Sequence, residues 1–289
     1  MFASELLPVV FLMIGLAFVP ESPRWLATQG RIDDARGVLA KINSRERAEG
    51  ELHAVHESIE REKGMGGGFS ELLGPGFRIA LVIAIGLAVL QHISGGAALT
   101  LYAPLIFQKA GYADPGQAIG RSVLLNLCHL VCVVIAILFV ERWGRKPLLI
   151  TGLTIKALGH FTLAWCFEND ISGMGFLVIY FITTCVSNIS IAPIAWLVMT
   201  EIFPNRVRAK GMTLTMFVLF SASYANIHLF PIVSAYFENL RGSPSGVFVL
   251  FGLLCVAGVV FIALIVPETK GKTLEQIAER MLKRSKGNG

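Results

Sequence analysis

The sequence predicts an all-α membrane protein, and three observations predict it. Of its 289 residues, 54% are hydrophobic and 16% charged, against about a quarter charged in soluble chains, and the mean hydropathy is +0.64. Seven apolar segments with few charges recur at 6–20, 79–107, 122–140, 148–167, 175–199, 211–237 and 246–266; all but the short first are near the length that crosses a ~30 Å hydrocarbon core as a helix. No run alternates apolar and polar residues in the manner of a membrane β-barrel strand.

The basic residues orient these segments. Segment 21–77 carries Arg24, Arg31, Arg36, Lys41, Arg45, Arg47, Arg61 and Lys63. Loop 141–147 has Arg142, Arg145 and Lys146, loop 200–210 has Arg206, Arg208 and Lys210, and the tail after Val266 has six more. The alternate loops hold Lys109, Arg121 and Arg241. Positive charge gathers on cytoplasmic loops, so 21–77, 141–147, 200–210 and the C-terminus are expected in the cytoplasm and Met1 outside. The first segment, 1–20, is preceded by neither a charged leader region nor a small-residue cleavage site. A short first span, an odd helix count and an outside start predict the later part of a longer chain. A self-contained seven-helix receptor is the rival.

Between the spans, "RIDDARGVLAKIN" places Ile32, Ala35, Val38, Leu39 and Ile42 at helical spacing, with Asp33 and Asp34 in the first turn. "RERAEGELHAVHESIEREK" predicts a second, mixed-charge helix, and "GMGGG" (64–68) a break. His53 and His56 stand at i, i+3 without a cysteine or carboxylate arranged around them, which predicts a solvated face rather than a metal site. In the tail, "TLEQIAERMLKR" predicts a helix with Thr273 as N-cap and Gln276 as capping-box partner. Cys128, Cys132, Cys166, Cys185 and Cys255 all lie in apolar segments, as small hydrophobes rather than disulfide partners or ligands.

Four motifs now stand in order: "PESPRWL" (20–26), "ERWGRKP" (141–147), "TEIFPNRVRAKG" (200–211) and "PETKGKTLEQI" (267–277). Together, at this spacing, they closely resemble the sugar porter family of the major facilitator superfamily. The resemblance covers essentially the whole chain and corresponds to the family's sixth to twelfth helices. It implies a major facilitator fold made of the last seven transmembrane helices. Residues 1–20 would be the sixth transmembrane helix, 21–77 a cytoplasmic helical linker, 78–266 the C-terminal six-helix transmembrane domain and 267–289 a cytoplasmic tail helix.

The resemblance also assigns roles. Glu141, Arg142, Arg145, Lys146, Glu201 and Arg208 would form a cytoplasmic gate. Its ion pairs close that side while the cavity faces outward and break when it faces inward. Exposed pairs contribute up to about 1 kcal/mol each, which suits a gate that must open. Positive-inside anchoring accounts for the basic members but not for Glu141 and Glu201.

"LQHISGGAALTLYAP" (90–104) interrupts an apolar helix with polar and helix-breaking residues. Broken membrane helices mark transporter binding sites, because irregular backbone at membrane depth needs protein or a wet cavity beside it. Ser94, Gly95, Gly96, Pro104 and, further on, Pro193 are the candidate hinges. The family counterpart of the first stretch is roughly Q-Q-x-S-G-x-N followed by aromatics. Its amides hydrogen-bond sugar hydroxyls, since an amide both donates and accepts. Gln91 stands at the first Gln, His92 at the second and Ala97 at the Asn, and Tyr102 remains of the aromatics. The family's sugar-binding Asn in the next helix falls on His129, with Asn126 a turn away. Pro193 and Trp196 match a G-P-x-x-W motif in which Ala192 replaces the glycine, and Phe220 stands at a cavity Trp. Gln91, His92, Ala97, Tyr102, Asn126, His129, Trp196 and Phe220 are therefore the candidate substrate contacts. His92 and His129 can hydrogen-bond a polyol or carry a proton. Lys156 and His160, at i, i+4 in a span, imply a polar interior or snorkelling, with no partner evident.

The function this predicts is secondary transport of a sugar or polyol by alternating access, without enzyme chemistry. There is no phosphate-binding GxxxxGK[ST], and the glycine-rich "GMGGGFSELLGPG" follows no strand and lacks the lysine. No cofactor, metal or nucleic acid is implied. The expected partners are the sugar or polyol, membrane lipid, a coupled proton and the missing N-terminal helices of the same transporter. The protein is placed in the plasma or inner membrane as a multi-pass protein. Proton symport and facilitated diffusion both stay open. The alternatives are a non-transporting sugar sensor, against which the short tail argues, and a truncated product inactive alone.

Overall fold

The computed structural model describes residues 6–62, 72–74, 77–111, 114–203 and 205–268. The glycine-rich break at 64–68 and the tail helix expected at 273–284 lie outside them, as do the side chains of Glu141 and Arg142. The chain divides into two compact units, 1–67 and 68–289.

In the first unit, α1 (Leu6–Phe18) has 13 residues, all apolar or glycine or proline, and buries none of them. At 1.5 Å per residue it spans about 20 Å, short of a hydrocarbon core. Next come α2 (Pro23–Thr28), α3 (Ile32–Ile42) and α4 (Arg45–Glu62). They close a small core of Leu26, Ala35, Leu39, Ala48 and Leu52. Of the apolar residues at helical spacing on α3, Ala35 and Leu39 are buried and Val38 packs beside them, while Ile32 and Ile42 are exposed. Arg36 ties α3 to α4 through Glu49 at 2.7 Å.

Among its described residues the second unit holds six helical stretches long and apolar enough to cross a membrane. The first is broken into α5 (Arg78–Ile93), α6 (Gly96–Leu101) and the following α7 (Ala103–Lys109). α8 (Pro115–Trp143) and α9 (Arg145–Glu168) are continuous. α10 (Met174–Ile189) and α11 (Ile191–Ile202) form one span interrupted at Ser190. α12 (Asn205–Arg241) and α13 (Ser245–Leu264) complete the unit.

Local chemistry sets these boundaries. Asp114 caps α8 by accepting the Gln117 amide at 3.0 Å, with Pro115 in the first turn, where its missing N–H costs nothing. A single residue, Gly144 at φ +88°, separates α8 from α9, a conformation that glycine adopts readily. Two residues, Ser94 and Gly95, separate α5 from α6; Gly95 has φ +88°, and a Cβ there would lie 2.8 Å from the Phe251 ring.

α9 runs along α13 and packs against α10, while α5 packs against α12 and α11. The approach of α9 to α10 is close: a Cβ on Gly152 would sit 2.0 Å from Ser190 Oγ, and one on Gly159 2.1 Å from Thr183 Oγ1. Small residues let membrane helices approach in this way. The unit has two cores. One contains Leu87, Leu149, Ile191, Met199, Phe203 and Ile262. The other contains Leu99, Phe107, Leu163, Phe176, Tyr180 and Phe251. Along the chain the first core reaches Leu90 and the second begins at Ala98, so the break at Ser94–Gly95 falls between them.

Candidate functional site: a polar cavity beside a broken helix

A cavity of about 620 Å³ opens beside this break. Gln91, His92, Gly96, Ala97, Thr100 and Pro104 form one wall. α8 adds Ser122, Asn126 and His129, at i, i+4, i+7 on one helix face, and α10 adds Thr184, Ser187 and Asn188. Ile191 and Ala192 close the side where α11 begins.

The polar groups divide into two sets. Some are tied down: Asn126 Nδ2 donates to the Ser122 carbonyl at 2.9 Å, Asn188 Nδ2 to the Thr184 carbonyl at 3.3 Å, and Thr100 Oγ1 to the Gly96 carbonyl at 3.1 Å. Others are buried with no hydrogen-bond partner among the described residues: Gln91 Oε1, both His92 ring nitrogens, His129 Nε2 and Ser187 Oγ. Leaving such groups unsatisfied costs about 1–3 kcal/mol each. Their convergence on one cavity suits a ligand carrying several hydroxyls, which donate and accept alike.

The candidate contacts fall into two groups. The cavity brings together Gln91, His92, Ala97, Asn126 and His129, with Gly96 and Pro104 of the hinge set. It does not include Tyr102, Trp196 or Phe220. Tyr102 stands where α6 gives way to α7, donates its hydroxyl to the Ile227 carbonyl at 3.3 Å and stacks on Phe230 at 5.1 Å. Trp196 and Phe220 are exposed on α11 and α12. Pro193 is the third residue of α11, next to the interruption at Ser190. Thr100, Ser122, Thr184, Ser187 and Asn188 are wall residues that motif matching missed. The signal available was their spacing, i, i+3, i+4 for the three on α10.

At the basic end of the unit, Arg145 pairs with Glu201 at 3.0 Å, the side chains 15% and 24% exposed. This joins the start of α9 to the end of α11. The Arg145 and Lys146 amides each donate to the Glu268 carboxylate at 3.1 Å, an anion seated on the positive end of a helix. Lys146 Nζ reaches the Ala263 carbonyl at 2.7 Å. Arg208 donates through Nε to the Phe203 carbonyl at 3.1 Å. Glu268 belongs to the "PETKG" motif, yet its part in this cluster was not anticipated. All five cysteines are free.

Six membrane-length apolar helical stretches, with a polar cavity beside a broken one, define an integral multi-pass membrane protein. The family model described as "Sugar (and other) transporter" matches residues 1–281, and the chain belongs to that family. It is 32% identical to an arabinose–proton symporter of Bacillus subtilis over 98% of this chain and 60% of that protein. It is also 32% identical to the major myo-inositol transporter of the same organism, over 94% of this chain and 58% of that protein. A proton:xylose symporter of the major facilitator superfamily, solved with bound 6-bromo-6-deoxy-D-glucose, superposes with a TM-score of 0.81 at 29% identity, over 97% of this chain and 58% of that one. The fold is thus that of the major facilitator superfamily, and the chain spans about 60% of the length of these relatives.

Proposed function

We propose that this chain supplies the substrate cavity and one closing end of a secondary transporter that moves a sugar or polyol by alternating access. Gln91, His92, Asn126, His129, Ser187 and Asn188 bind the hydroxyls. The observation that carries this is the convergence of unpartnered buried polar atoms on a 620 Å³ cavity beside a broken helix, within a sugar transporter family. The volume lies in the usual range for small-molecule sites, and among the described residues no Asp or Glu lines the cavity, which suits a neutral ligand. The relatives named above act on arabinose, myo-inositol and xylose, and two of them are proton symporters. A coupled proton accompanies the sugar, and N-terminal helices complete the transporter. Segment 21–77 and the C-terminus lie in the cytoplasm. The Arg145–Glu201 and Glu268 contacts hold that side closed.

The test is equilibrium binding of radiolabelled D-xylose, L-arabinose and myo-inositol to the chain in lipid nanodiscs. Saturable binding of at least one, displaced by excess unlabelled ligand and weakened by Gln91→Ala, is expected. A folded chain that binds none of the three would overturn the assignment.

A further inference from the structure

Neither the cavity nor the gate uses Lys156 and His160, yet they are among the most deeply buried polar side chains of the unit, 1% and 0% exposed. They stand one helical turn apart on α9, and both reach Ser94, itself 0% exposed. Lys156 Nζ donates to Ser94 Oγ at 3.0 Å, and His160 Nε2 lies 3.1 Å from the Ser94 carbonyl oxygen. A carbonyl only accepts, so Nε2 carries the proton of that bond.

The backbone at the break explains why two donors are needed. The Ser94 amide still meets the Leu90 carbonyl at 3.2 Å, and beyond it the helical ladder stops: the Gly95 amide turns to the His92 carbonyl at 3.0 Å instead of Gln91's. The Gln91 carbonyl is met by the Ser94 hydroxyl at 3.4 Å, which uses that hydroxyl's one proton. Ser94 Oγ is then an acceptor, and Lys156 fills it. The Ser94 carbonyl takes His160. In the membrane, backbone polar groups freed by a broken helix must find partners inside the protein, and α9 supplies them.

Three further facts bear on this arrangement. No ion pair among the described residues includes Lys156, and an ionisable side chain at such depth is costly. A Cβ on Gly96, a cavity residue, would lie 3.6 Å from Lys156 Nζ, so the amine stands close to the backbone that lines the cavity. His160 is packed 5.6 Å from the Phe251 ring, the same ring that Gly95 abuts.

We propose that Lys156 and His160 are positioning residues for the cavity: together they clasp Ser94 and hold the α5–α6 break in the geometry that presents Gln91 and Gly96 to the substrate. The clasp is a property of the break itself, while its effect on affinity rests on the sugar-site reading above.

The experiment is hydrogen–deuterium exchange on the whole chain in nanodiscs, following amides 93–101 and, as an internal reference, 253–264 of α13. Lys156→Met and Ser94→Ala are each expected to speed exchange at 93–101 by about tenfold or more. The Lys156→Met/Ser94→Ala double variant should do no more than Ser94→Ala alone, because both remove the Lys156–Ser94 bond and Ser94→Ala also removes the hydroxyl's bond to the Gln91 carbonyl. His160→Leu should act likewise, and His160→Gln, which keeps an N–H donor, should restore much of the protection. D-xylose affinity should fall about tenfold in Lys156→Met. Unchanged exchange at 93–101, additive single effects, or an equal rise over 253–264 would overturn the clasp. If a single variant fails to fold, the His160→Leu and His160→Gln pair decides alone. If the parent chain binds no sugar, the cavity reading fails while the exchange cycle still decides the clasp.

Discussion

Gln91 offers the cavity a buried side-chain carbonyl oxygen with no partner among the described residues, from the last turn of a helix that ends two residues later. Removing it deletes hydrogen bonds to a hydroxyl without opening a new apolar surface. Gln91→Ala is expected to weaken sugar binding by about tenfold, the equivalent of roughly 1.4 kcal/mol, and Gln91→Asn by less. Isothermal titration of both variants checks this, and equal affinities across the set would remove Gln91 from the site. The residue scale is also where the sequence was least legible. Motif matching marked Gln91, His92 and His129, because they stand at family amide positions, and Asn126, a turn away from one. Ser122, Thr184 and Ser187 escaped, since serine and threonine in membrane helices usually bond their own backbone, as Ser122 and Thr184 do here. Trp196 and Phe220 were aligned to aromatic cavity positions. Both rings are exposed and are not in the lining of this cavity.

At the scale of elements, the interruption near Ser94 was legible because three helix-weakening residues in an apolar run have few other uses. What the sequence could not show was how the loose backbone is satisfied, since the donors come from α9, more than sixty residues away. Gly95 constrains the break itself, by its backbone conformation and by its contact with Phe251. Gly95→Ala must adopt φ +88° and place a Cβ 2.8 Å from the Phe251 ring, so strain of about 1–3 kcal/mol is expected. The midpoint of SDS-induced unfolding in mixed micelles should move accordingly, and an unchanged midpoint would mean that the break has a different geometry. The start of α9 carries a second element-scale expectation. Glu268 accepts two N-terminal amides there, so Glu268→Leu should cost about 1–2 kcal/mol of stability. Glu268→Gln should cost less, because one acceptor oxygen survives. The same unfolding assay ranks the two.

For the whole second unit, two apolar cores meet at a polar level containing Ser94, Lys156 and His160. Composition and apolar periodicity made the six crossings legible. The layering was not, because it arises from which faces meet across the bundle. Such a build concentrates rigidity in the two cores and leaves polar contacts to join elements at the middle and at the basic end. The contact at that end is Arg145–Glu201, which links α9 to α11. It is mostly shielded from water, yet Arg145 Nε and Glu201 Oε2 have no hydrogen-bond partner among the described residues, so the pair is bound through one contact rather than two. A bidentate, fully satisfied pair would be expensive to separate, and an exposed one would contribute almost nothing. A pair of intermediate strength fits an end that closes and reopens. In a double-mutant cycle of Arg145→Ala and Glu201→Ala, the coupling energy is therefore expected near 1 kcal/mol. Raising NaCl from about 0.1 M to about 1 M should reduce it by less than half, because shielded pairs are screened weakly. A coupling below about 0.3 kcal/mol, the usual additivity error, would show that the two side chains do not hold α9 to α11 and that the closure of this end resides elsewhere.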